Sequence, residues 1–334
     1  MSNIFKKILR FFKRLIFSLP RSFLHRVKEI YGLLVQTIYE FADDKAVKMS
    51  AALSFYMIFS LSPLLIIIVA VLGFIFGQDA ASGQIVAQIQ DTIGKENAEV
   101  VQSLLQNVST PSSGIIATIV GGGIIIFASA GIFVELKESL NMIWGVEPVP
   151  AGILGFLRNR AKSFVMVLII MLLLFVTIIS STALSTINNV MDGKLSDFVP
   201  GWQYINIFLN YIMTTVLIAV IYKFLPDVIV RWRFVWLGAL ITALLLALGK
   251  YLIGVYLAES SYKSLFGAAG SLVIFMIWIY YSSFIFFFGA EFTQVYRNKY
   301  AITPLRTNKY ALKVEKVTSL INDAMDKVEQ KTPK

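Results

Sequence analysis

The sequence predicts an all-α membrane protein: a polytopic bundle of six transmembrane helices, both termini cytoplasmic, with amphipathic helices at the interface. Three observations predict it. Of the 334 residues, 57% are hydrophobic and 15% are charged, where a soluble domain carries about 25% charged residues. Mean hydropathy is +0.73, and apolar runs long enough to cross a hydrocarbon core recur along the chain. Lys and Arg fall almost wholly in alternate connections, 26 on one side and three on the other, with Lys250 inside the fifth run. By the positive-inside rule the basic side is the cytoplasm, so both termini are expected there.

The elements follow in order. Residues 1–48 form a basic amphipathic region. Ile4, Ile8, Phe11, Phe12 and Leu15 alternate at helical spacing with Lys6, Lys7, Arg10, Lys13 and Arg14. This suits a helix on an anionic lipid surface rather than a cleavable signal peptide. Membrane lipids are therefore the expected partners, and nucleic acid is not.

Residues 49–298 form the membrane domain. Its spans are expected at about 49–77, 114–134, 164–187, 203–225, 233–257 and 267–296. Residues 78–113 read as an outer helical hairpin. Ile85, Ile89 and Ile93 make one apolar stripe, Val100, Leu104 and Val108 the other, and Gly94 lies between them. Residues 299–334 read as a cytoplasmic amphipathic tail.

Candidate functional residues lie within the spans. In the first, Pro63 removes a donor and leaves the carbonyl of Phe59 without its helical partner. Ser60 and Ser62 flank that break, and Ala46, Ser50 and Ser54 make a small-residue face. Two readings stand side by side. Ser54, Ser60, Ser62 and Pro63 either line a cavity or pack a kinked helix. Gly121, Gly122 and Gly123 in span 2, with Gly267 and Gly270 near span 6, are hinge or packing candidates. Lys250 lies about 24 Å along span 5 from Phe234 at about 1.5 Å per residue. It either snorkels outward or faces a cavity that takes an anionic group. Glu291, near the cytoplasmic end of span 6, is expected in a structural ion pair with Lys48, Lys137 or Arg297.

Enzymatic readings are disfavoured. With no Cys and only His25, zinc sites and His-dependent triads lack their ligands, no metal site is expected, and no P-loop motif occurs. No cofactor is implied.

Several stretches carry a family resemblance. "KMSAALSFYMIFSLSPLL" resembles the first-span signature of the YihY/BrkB family of bacterial inner-membrane proteins. "ELKESLNMIWGV" resembles its cytoplasmic element, here Leu140, Asn141, Ile143 and Trp144. The last two spans, ending in Gly289, Ala290 and Glu291, are similar to the family's final spans. The resemblance covers about residues 30–300 and implies six helices with both termini inside. The family has carried the label "ribonuclease BN", which the scarcity of metal ligands here argues against. It also implies links to virulence and to envelope lipid export. The resulting expectation is a transporter- or exporter-like protein for a lipid or another amphiphile, without its own ATPase. The alternative is a membrane scaffold for envelope partners.

Overall fold

The computed structural model describes residues 21–77, 82–87, 90, 95–106, 131–148, scattered positions between 152 and 180, and residues 202–259, 270–307 and 311–314. Four helices in it are long and apolar enough to cross a membrane: Ala46–Ala70, Ile207–Phe224, Trp232–Leu252 and Val273–Tyr300. They coincide with the first, fourth, fifth and sixth expected spans. The runs at 114–134 and 164–187 fall largely outside the described residues, as do Gly121, Gly122, Gly123, Gly267 and the basic stretch 1–20.

In chain order the elements are α1 (Arg21–Asp43), α2 (Ala46–Phe76), α3 (Lys95–Gln106), α4 (Gly131–Ile143), β1 (Val146–Pro148), α5 (Trp202–Phe224), β2 (Val228–Ile229), α6 (Trp232–Glu259), α7 (Gly270–Tyr300), β3 (Arg306–Thr307) and β4 (Ala311–Lys313). Helix α7 is the hub, packing against α6, α2, α1, α3 and α4; α5 packs on α6, and α4 on α2. Gly270 is the first residue of α7.

Helix α2 runs on through Pro63. Its predicted small-residue face is buried: Ala46, Ser50 and Ser54 all lie inside. The hydroxyl of Ser50 donates to the Ala46 carbonyl at 2.8 Å and that of Ser54 to the Ser50 carbonyl at 2.6 Å. A polar side chain that bonds its own preceding turn is satisfied without water, which suits a packed helix in an apolar medium.

The α6–α7 crossing rests on two Gly-x-x-x-Thr pairs, Gly238 with Thr242 and Gly289 with Thr293. Each threonine donates to the carbonyl of the glycine four residues before it, at 2.7 Å. Each glycine also receives the threonine of the other helix. A Cβ on Gly289 would lie 1.7 Å from Thr242 Oγ1, and one on Gly238 would lie 1.7 Å from Thr293 Oγ1. A hydrogen in place of Cβ admits this approach, which gives small residues their role in membrane helix contacts. Tyr222 of α5 joins the crossing, donating to the Phe286 carbonyl at 2.5 Å and lying 3.1 Å from Thr242 Oγ1.

The described residues are mostly helical, as the all-α reading expects, with one addition to it. Two small antiparallel sheets, β1 with β4 and β2 with β3, tie the chain after α7 to the connections after α4 and α5. Strands of two or three residues carry no measurable period, so no pattern announced them. Ala311–Lys313, read as the start of an amphipathic tail helix, is β4. Residues 21–43 of the expected N-terminal region form the helix α1. One stripe of α1, Leu33, Thr37 and Phe41, is buried, and α1 packs along α7. The expected hairpin is described in part: helical residues occur at 82–87 and in α3, with Ile85, Ala98, Val100 and Val101 buried.

Candidate functional site

The site is built where α1 meets α7. Phe41 sets its ring against Phe284 at 4.7 Å and Phe288 at 5.9 Å, edge-on in both cases. Leu33 packs with Phe292 and Val295 further along, so α1 runs against α7 in the opposite sense. Helix α1 then stops. Asp44 follows it, and Lys45 takes a left-handed conformation, φ 56°, before α2 begins at Ala46. A side chain with a Cβ pays of order 1 kcal/mol there, and the surrounding helices hold it.

This turn brings acidic groups to Glu291. Glu291 has 0% exposure, and among the described residues its carboxyl oxygens have no hydrogen-bond partner apart from the neighbouring Asp44 carboxyl. The ionisable neighbours that weigh on it are Asp44 first and Glu40 next, both acidic. Burial raises the Asp44 carboxyl above the usual carboxylate range; the adjacent Glu291 carboxyl partly offsets this, and Glu40 and Asp43 add to it. Tyr39, Glu40, Ala42 and Asp43 line an open cleft of about 490 Å³ beside the turn. The ion pair expected at Glu291 is therefore not made. Lys48 is exposed, Arg297 donates to Asn298 and to the Thr303 carbonyl, and Lys137 is bound elsewhere.

Lys137 forms the buried pair of the molecule's other polar centre. Its Nζ lies 2.7 Å from Asp227 Oδ2, with the two side chains 5% and 4% exposed. Asn141, one turn on from Lys137 and on the same face of α4, brackets the same aspartate. Its Nδ2 donates to Asp227 Oδ2 at 3.2 Å, and its Oδ1 accepts from the Asp227 backbone N–H at 2.7 Å. Gln294 of α7 donates to the Ile143 carbonyl at 3.0 Å, at the end of α4 where carbonyls lack helical donors. Leu140, Ile143 and Trp144 are buried in the core. The Leu140–Trp144 element thus clamps α4 to the α5–α6 connection and to α7, an architectural task.

The remaining candidates divide. Ser54 and Ser60 are buried and Ser62 and Pro63 half-buried; Ser60 lies against Gly131, 3.0 Å from where its Cβ would be. The cleft lies at the end of α1 and is not lined by these residues. Lys250 is exposed on α6, beside exposed Tyr251 and Leu252. Gly289 and Ala290 are buried, Gly289 at the helix crossing. Sequence reasoning missed Asp44 and Asp227. Both occupy short turns between apolar runs, and an acidic residue so close to a span boundary was the available signal. Among the described residues no three His, Asp or Glu side chains are grouped to hold a metal ion.

Comparison with known proteins gives one family. The sequence model of Virulence factor BrkB matches residues 37–311. The chain is 22% identical over 309 residues to a UPF0761 membrane protein of Teredinibacter turnerae, covering 91% of this chain and 68% of the relative. It is 26% identical over 266 residues to one of Verminephrobacter eiseniae, covering 77% and 60%. A third, from Tolumonas auensis, is 41% identical over 86 residues, covering 25% and 28%. The chain thus spans 68% or less of the length of these relatives. No solved structure matches.

Proposed function

The chain belongs to the Virulence factor BrkB family of membrane proteins, and from that premise we propose that it is a transporter- or exporter-like protein that moves a lipid or another amphiphile without an ATPase of its own. The observation that carries this reading is Glu291: fully buried, without a cationic partner among the described residues, inside a helix able to span a membrane. An ionisable group so placed is costly, and such groups mark substrate paths and ion relays. A purely architectural helix position is served as well by an apolar residue.

The test is reconstitution in vesicles with fluorescent phospholipids in both leaflets and an entrapped small solute. Scrambling or flux above protein-free vesicles is expected, with Glu291→Gln falling toward the protein-free rate. If neither process exceeds the control, the reading is lost.

The reading carries six spans in a bacterial inner membrane, both termini cytoplasmic. The chain has no cysteine, so single-cysteine variants report sidedness directly. Gly83 has open space around its Cβ position, and Lys299 is exposed. In intact spheroplasts an impermeant maleimide is expected to label Gly83→Cys, and to label Lys299→Cys only after permeabilisation. The reverse pattern would invert the topology.

A further inference from the structure

We propose that Asp44 and Glu291 form a proton-binding site, one proton held between two carboxyls and reached from the cleft beside Glu40 and Asp43. Glu291 is enclosed, and among the described residues its carboxyl has no hydrogen-bond partner other than the neighbouring Asp44 carboxyl. Its foremost charged neighbour is another carboxyl, Asp44, which is half-buried. Two carboxyls in one low-dielectric site do not both ionise without a compensating cation, and their protons leave in two steps that belong to the pair.

Among the described residues no cation is paired with them. On α2, Lys48 is exposed, as is Lys45 in the turn before it. On α4, Lys137 is committed to Asp227. On α6, Arg233 is exposed and lies over the Phe234 ring. On α3, Glu99 is acidic and exposed. On α7 itself, Arg297 is bonded to Asn298 and the Thr303 carbonyl. Glu40 adds a third acid from α1. Glu40 and Asp43 line the open cleft, and Asp44, the neighbour of Glu291, is the next residue in the chain.

Burial that raises the Asp44 carboxyl has a definite sign. The folded state then holds its proton more tightly than the unfolded chain. The resulting stability is complete below the ordinary aspartate value of 3.8 and is lost as pH rises through the raised folded value. Wild type is therefore expected to lose thermal stability relative to Asp44→Asn as pH rises.

Infrared difference spectroscopy on the purified full chain reads the proton directly. The carbonyl stretch of a protonated carboxyl is expected to persist near neutral pH, where exposed carboxylates have ionised, and to shift in D2O. Glu291→Gln is expected to abolish it, and Asp44→Asn to move its titration midpoint. Absence of the band in wild type, its survival in both single variants, or a midpoint set by Na+ or K+ concentration at constant ionic strength would overturn the site. The measurement on wild type needs no variant to fold. Use of the site in coupling rests on the transporter reading, but the bound proton does not. A titrating band without flux removes only the transporter, and flux without a titrating band removes only the site.

Discussion

Asp227→Ala is expected to destabilise the folded protein by about 3–5 kcal/mol, the range for breaking a buried ion pair from one side. The loss is large because Lys137 stays behind. Its ammonium is enclosed, with the side chain 5% exposed. Asn141 loses the acceptor for its Nδ2 in the same step. Asp227→Asn is expected to cost less, since an amide oxygen still receives a hydrogen bond from Lys137. The double variant Lys137→Met with Asp227→Leu should recover much of the loss, because well-packed apolar pairs replace buried ion pairs at little cost. Denaturation of the detergent-solubilised protein, followed by tryptophan fluorescence, measures all three. A single-sided loss below about 1 kcal/mol, the usual value of exposed pairs, would show that the pair is hydrated in the folded protein.

Gly289→Ala is expected to cost about 1–3 kcal/mol or more, the range for overpacking a close-fitted contact. The added methyl would sit 1.7 Å from Thr242 Oγ1 and 2.8 Å from the Tyr222 hydroxyl. Neither group moves freely. Thr242 is bonded to the Gly238 carbonyl, and Tyr222 to the Phe286 carbonyl. Gly238→Ala meets the same obstacle at Thr293, so adding Thr293→Ala should restore part of its stability. Failure of that second change to help would place the strain elsewhere in the crossing.

Much of this architecture was written in the sequence at the level of length and composition. Four helices stand close to where the apolar runs put them, because span length is a property of consecutive residues. The Ala46, Ser50, Ser54 face was equally legible, since period alone defines it. The polar centres were not. Lys137 chose Asp227, 90 residues on, because the α5–α6 connection returns to α4; no spacing rule encodes that return. Glu291 looked like half of a salt bridge because carboxylates in spans usually need a partner. Its actual neighbour, Asp44, depends on a left-handed turn at Lys45, a residue type that gives no hint of one. The twin Gly-x-x-x-Thr pairs were visible as spacing in both helices, and only their interlocking was hidden.

The two small sheets set an order of assembly. Val146 pairs with Lys313 and Ile229 with Arg306, so each early connection waits for a partner made after the last long helix. During synthesis the bundle can gather its helices as they emerge, since chains fold from the N-terminal side as they are made. Its end near β1 and β2 stays open until residues 306–313 exist. Those few residues act as a closing stitch. A nascent chain that stalls before them would hold its long helices with unpaired backbone at that end, in a form quality-control proteases could recognise.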